Sequence, residues 1–168
     1  MGLWTGQRKG DLLQLPWSGY DGTFIRLRQR KTDMRVAIPV GGPLKAALDA
    51  TRKVGWIILV NHHGRPWLTN TFGRGWREAC RKAGVTGLTF HDLRATAVTR
   101  VSLAGCTVPE IAAITGHSLA GVARILDAHY LHRDLHRDPA LAASAIRKLE
   151  ENVRRSTLQT NLQTGDNS

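Results

Sequence analysis

Two runs near the start of the chain alternate apolar and polar positions with a period of two. In FIRLRQ (24–29), Ile25 and Leu27 share a face, and in RVAIPV (35–40), Val36, Ile38 and Val40 share another. Arg30-Lys31-Thr32-Asp33 stands between them, so the pair predicts a β-hairpin with a basic tip. WIILVN (56–61) is a short apolar run of strand length. Elsewhere the spacing is helical. Asp11 ahead of Leu12, Leu13 and Leu15 suits a short helix start. Pro43 opens a helix over 43–54, and 69–84 predicts a helix with Gly84 as its stop. In 91–105, Leu93, Ala97, Val101 and Ala104 form the apolar stripe. Residues 108–115 make a short helix ended by Gly116. A helix over 119–130 buries Val122, Ile125 and Leu126, with Tyr130 one turn past Leu126. Asp138-Pro139 opens a last helix, 139–152, whose stripe is Leu141, Ala145 and Leu149. From Arg154 the chain is Thr, Gln, Asn, Ser and Gly, which predicts a disordered polar tail, 154–168. Local antiparallel strands followed by a run of helices give an α+β class, mainly helical, with a small antiparallel hairpin or three-stranded sheet.

Composition narrows the function. The 168 residues are 42% hydrophobic and 22% charged, in the globular range. Twenty-four Lys+Arg against 13 Asp+Glu give a net charge of +11, which favours a polyanion, nucleic acid first. Cys80 and Cys106 form neither a CxxC nor a paired spacing, which fits a reducing cytoplasm. No apolar run approaches the roughly 20 residues of a membrane span, and MGLWTGQRKGD has no signal-peptide core. Trp4, Trp17, Trp56, Trp67 and Trp76 are scattered and read as core or half-core positions.

The chemistry concentrates between residues 91 and 130. His91 and Arg94 lie three apart at a helix start and share a face. Gly116-His117 follows, then Tyr130. Metal-free attack on a phosphodiester needs fixed cations for the non-bridging oxygens, a deprotonated nucleophile and a proton for the leaving oxygen. Arginine grips two phosphate oxygens and keeps its charge. A tyrosine hydroxyl can attack, and neighbouring guanidinium groups favour its phenolate. His62-His63 and the set His129, His132 and His136 raise a metal reading. No HExxH-type carboxylate accompanies them, and Asp134 and Asp138 adjoin arginines, so a basic turn is the simpler account.

This pattern resembles the catalytic half of the tyrosine recombinases, the phage integrase family. Members carry a first Arg in Thr-Gly-x-Arg-x-Gly-Glu/Asp, matched by Thr5-Gly6-Gln7-Arg8-Lys9-Gly10-Asp11. They carry a Lys on a hairpin turn, matched by Lys31-Thr32. They then carry His-x-x-Arg, Gly-His or Gly-Trp, and a Tyr, matched by His91, Arg94, His117 and Tyr130. His117 and Tyr130 are thirteen apart, more than in the commonest form of the motif, and one further helical turn accommodates the difference.

The resemblance implies roles. Tyr130 would form a 3′-phosphotyrosyl bond. Arg8 and Arg94 would hold the phosphate, Lys31 would protonate the 5′ oxygen, His91 would assist the Tyr130 proton, and His117 would hydrogen-bond the phosphate. No metal or other cofactor is called for. The partner is double-stranded DNA, with a homotetramer on it for a longer chain. The implied domain is 1–153. Family members have further helices and an N-terminal domain before the first Arg, which here has only seven residues ahead of it. The expectation is therefore a truncated form with Leu12, Leu13 or Leu15 uncovered, weak salt-sensitive DNA binding and little recombination. The alternative is an inactive DNA-binding remnant.

Overall fold

β1 (Phe24–Arg28) and β2 (Arg35–Pro39) pair antiparallel as the alternation requires, with Ile25 opposite Ile38 and Leu27 opposite Val36. The turn between them is pinned at its base. The Gln29 N–H donates to the Met34 carbonyl at 2.8 Å, and the Asp33 N–H donates to the Gln29 carbonyl at 2.8 Å. Asp33 takes a left-handed φ of 58°, a conformation that Asp tolerates better than most residues. The computed structural model describes residues 1–130, His129 and Tyr130 as backbone only, together with Ala143, Ile146, Arg147, Glu150 and Glu151.

The run 56–61 does not become a third strand. Ile57 makes an isolated bridge to Pro16, and Val60 makes another to Pro66. Trp17 N–H donates to the Trp56 carbonyl at 2.9 Å and Ile58 N–H to the Leu15 carbonyl at 3.0 Å. Both bridge partners are prolines, which have no N–H to extend a ladder. The named sheet is therefore two-stranded.

Helices supply the rest. α1 (Gly2–Thr5) and α2 (Lys9–Leu12) are single turns. The sequence places a helix start at Asp11. Instead Arg8 is the N-cap, and Asp11 is buried within α2, where it accepts the Arg30 backbone N–H at 3.0 Å. α3 (Gly42–Asp49) covers the hairpin with Leu44 and Leu48. These two join Leu15, Ile25, Val36, Ile38 and Ile58 in one core cluster. Leu12, Leu13 and Leu15 are all buried, against the expectation that they would be uncovered. For Leu15 the reason is visible: it packs within the hairpin–α3 cluster, on elements of this chain.

α4 (Thr69–Lys82) is strongly amphipathic yet has no fully buried residue. Its aromatic side forms a series of edge-on ring contacts, Trp67–Phe72, Phe72–Phe90 and Trp76–Phe90, with centroids 5.1–5.7 Å apart. Trp4 and Trp56 are exposed, so these two depart from the core reading.

α5 (Asp92–Leu103), α6 (Val108–Thr115) and α7 (Leu119–Tyr130) follow the predicted spans closely. A capping box starts α6: Thr107 Oγ1 accepts the Glu110 N–H, and the Glu110 carboxylate accepts the Thr107 N–H. Val98, Ile111 and Val122, one from each helix, form a second core cluster with Ile125 and Leu126 against it. The inward face of α5 is Arg94, Ala97 and Val98, one position round from the predicted stripe, and Ala104 is exposed.

The chain divides into two units, Met1–Ala128 and His129–Ser168. In the second, the described positions Ala143, Ile146, Arg147, Glu150 and Glu151 are helical, within the predicted last helix. The remainder of that prediction and the polar tail lie outside the described residues.

Candidate active site

Arg94 is the centre of a buried polar network. With Ala97 and Val98 it lies on the inward face of α5, and only 4% of the residue is exposed. Its Nη1 donates to the Thr115 carbonyl at 2.8 Å and to the Gly6 carbonyl. Its Nε donates to His117 Nε2 at 3.0 Å. Its Nη2 is buried and has no hydrogen-bond partner among the described residues. Among the described residues no carboxylate forms an ion pair with Arg94; burial first, then repulsion from Arg8, outweigh the attraction of Asp11 and bring the guanidinium down to about 10. It remains a cation at neutral pH.

Two glycines make this geometry possible. Gly6 ends α1 at φ 61° and turns its carbonyl toward Arg94, and a Cβ there would lie 2.8 Å from Thr115 Cγ2. Gly116 ends α6 at φ 65°, and a Cβ there would meet the Gln29 amide. That turn lets His117 fold back on the residue before the glycine. His117 Nδ1 lies 2.9 Å from Thr115 Oγ1, which donates onward to the Ile111 carbonyl at 2.7 Å. Because Arg94 Nε can only donate, His117 Nε2 accepts and Nδ1 carries the proton. Burial, then Arg94, Arg8 and His91, push the His117 pKa down to about 4. The ring is neutral, and both nitrogens are engaged.

Arg8, the N-cap of α2, is half-buried, and its Nη1 donates to Gln29 Oε1 at 3.0 Å. It lies where two clefts meet. A shallow one of about 370 Å³ runs past Asp11, Arg30 and Lys31. A larger one of about 790 Å³ runs between Arg8 and His91 to Trp76 and Leu88 on and beyond α4. Lys31 is exposed on the hairpin tip, and His91 is exposed as the N-cap of α5. The structure thus gathers Arg8, Arg94 and His117, with Lys31 and His91 on the two clefts that Arg8 lines. Tyr130 is the last residue of α7, and its side chain lies outside the described residues. Sequence reasoning missed Gln7, Gln29 and Thr115, each at most 2% exposed and each bonded into this network. Polar residues flanking the first Arg, the hairpin turn and the Gly-His pair were the available signal.

A model of the phage integrase family matches residues 2–134. The chain belongs to the phage integrase family. Among curated members, this integrase-family chain is 30% identical over 103 residues to the integrase of Escherichia phage lambda, which covers 54% of this chain and 29% of that protein. It is 30% identical over 122 residues to a shufflon-specific DNA recombinase of Escherichia coli, covering 70% and 30% respectively. The chain thus spans about three tenths of the length of these relatives. Among solved structures, a lambda integrase fragment (residues 75–356) bound to DNA shares a TM-score of 0.64 at 25% identity, over 81% of this chain and 52% of that one. A XerA recombinase gives 0.62 at 26% identity, over 88% and 55%. The α+β helical fold with its small antiparallel sheet is therefore that of the integrase catalytic core. Among the described residues no helix is long and apolar enough to cross a membrane, and no group of three or more metal-ligating side chains gathers.

Proposed function

We propose that residues 1–153 form the catalytic domain of a site-specific DNA recombinase that cuts and rejoins strands through a 3′-phosphotyrosyl intermediate. The observation that carries this is the pair of cations Arg8 and Arg94 around His117. One guanidinium nitrogen of Arg94 has no hydrogen-bond partner among the described residues, although buried polar groups are nearly always satisfied. A phosphate oxygen is a fitting acceptor for it.

In the proposed reaction, Tyr130 Oη attacks the scissile phosphorus while the bond to the 5′ oxygen breaks. The Tyr130 proton passes to His91, and Lys31 from the hairpin tip delivers a proton to the departing 5′ oxygen. Arg8 and Arg94 balance the charge that grows on the non-bridging oxygens, in a pocket already organised before DNA arrives. Neutral His117 keeps Arg94 aimed. To donate to phosphate itself, it must release Arg94 Nε and move its proton to Nε2. The phosphotyrosyl bond keeps the phosphodiester's energy, so a second 5′ hydroxyl reverses the step. No ATP is consumed.

The partner is double-stranded DNA. The charge of +11 supports this, as do relatives solved on DNA, including a lambda integrase tetramer on a Holliday junction. A homotetramer of a longer chain is the corresponding assembly here. A nicked suicide duplex tests the reading. Wild type should form a covalent protein–DNA adduct and Tyr130→Phe none, with DNA binding retained. Adduct formation by Tyr130→Phe would remove Tyr130 from the role.

A further inference from the structure

We infer that Gln29 is a positioning residue for the phosphate-binding arginines and for the turn that carries Lys31. This rests on the strand-transfer reading above. Gln29 follows β1, is fully buried, and uses every hydrogen-bonding capacity of its amide. Its Oε1 accepts from Arg8 Nη1 at 3.0 Å and from Thr32 Oγ1 at 2.8 Å. Its Nε2 donates to Gln7 Oε1 at 2.6 Å and to the Thr115 carbonyl at 2.8 Å. That carbonyl is the one that also receives Arg94 Nη1.

Only one orientation of the amide satisfies this set. Arg8 is donor-only and the Thr115 carbonyl is acceptor-only, so a flipped amide would set donor against donor and acceptor against acceptor. One side chain therefore ties three separate pieces together: the N-cap of α2, the hairpin turn and the end of α6. A guanidinium on a flexible stem has many rotamers, and a fixed acceptor selects the one that faces the phosphate. The Thr32 bond fixes the residue next to Lys31. Gly116 supplies the space, since a Cβ there would lie 2.7 Å from Gln29 Cδ. Gln29 itself need not touch the phosphate, because it acts through Arg8 and through the carbonyl shared with Arg94.

The test uses the full chain and a nicked suicide duplex at saturating DNA. Gln29→Met should slow single-turnover adduct formation by about ten- to a hundredfold, the range met when a group orienting a functional side chain is lost. Its DNA affinity should stay within about twofold, because affinity is spread over many phosphates. Gln29→Glu keeps the shape and carries the test if Gln29→Met does not fold. As a neutral acid it can still donate to Thr115 or Gln7. As a carboxylate it opposes both and offsets the charge of Arg8. Its rate relative to wild type should therefore fall from about pH 5 to about pH 8. Absence of any wild-type adduct would sink the strand-transfer reading and this inference with it. A wild-type adduct with Gln29→Met cleaving within about twofold of wild type, or Gln29→Glu tracking wild type at every pH, would overturn the inference alone.

Discussion

Replacing Arg94 with methionine should leave the fold nearly as stable as before while removing phosphate binding. The guanidinium sits in the folded protein at about 10 against an ordinary 12.5. That difference amounts to about 3 kcal/mol against the charged form. Arg94→Met removes this penalty and keeps most of the volume. In exchange, three acceptors lose a donor. The Thr115 carbonyl retains Gln29, and His117 Nε2 can turn to water at the rim. The Gly6 carbonyl is the main orphan, at about 1–3 kcal/mol. The two sides nearly cancel, so the net change should lie within about 1–2 kcal/mol of zero. Truncating an ordinary buried large side chain costs about 2–5 kcal/mol. Urea unfolding followed by circular dichroism measures the difference, and an unchanged m-value shows that the same fold is being compared. Sulfate provides the second arm: at ten times its dissociation constant it should stabilise wild type by about 1.4 kcal/mol and leave Arg94→Met unmoved. A loss above about 3 kcal/mol without sulfate, or equal sulfate stabilisation of both proteins, would refute the reasoning and make Arg94 a structural strut.

Gly116→Ala should lose about 1–2 kcal/mol from its left-handed backbone alone and more from displacing Gln29. A lowered melting temperature, together with loss of adduct formation, checks this. His117 gives a pH signature. Its folded pKa, about 4, lies below the unfolded value near 6.5, so the unfolded chain binds the extra proton first as pH falls. Stability should decline between about pH 6.5 and pH 4, and His117→Asn should flatten that decline in urea titrations.

Much of the fold was legible because periodicity reports burial. The hairpin faces and the spans of α4 to α7 followed from apolar spacing and from Gly stops. The failures have physical causes. The 56–61 run has the composition of a strand, but Pro16 and Pro66 cannot pass a ladder on. On α5, hydrophobicity selected Leu93, whereas the inward position beside it belongs to Arg94, a charge that counts as surface in any apolar tally. Asp11 has the residue type of a helix start, yet its carboxylate accepts the Arg30 N–H of the hairpin turn. The candidate site was legible as a set of residue types in order. Gln7, Gln29 and Thr115 were not, because an uncharged amide or hydroxyl announces nothing until its neighbours are known.

The polar network is stitched from distant parts of the chain. Gln7 bonds a carbonyl 107 residues away, Arg94 one 88 residues away, and Gln29 one 86 residues away. Contacts of such long sequence separation form late, after the loops between them have closed. A chain still emerging from the ribosome cannot assemble this network until Thr115 and His117 are free to fold. On the strand-transfer reading proposed above, partly folded copies would lack the arranged arginines, and strand cleavage would require the finished domain.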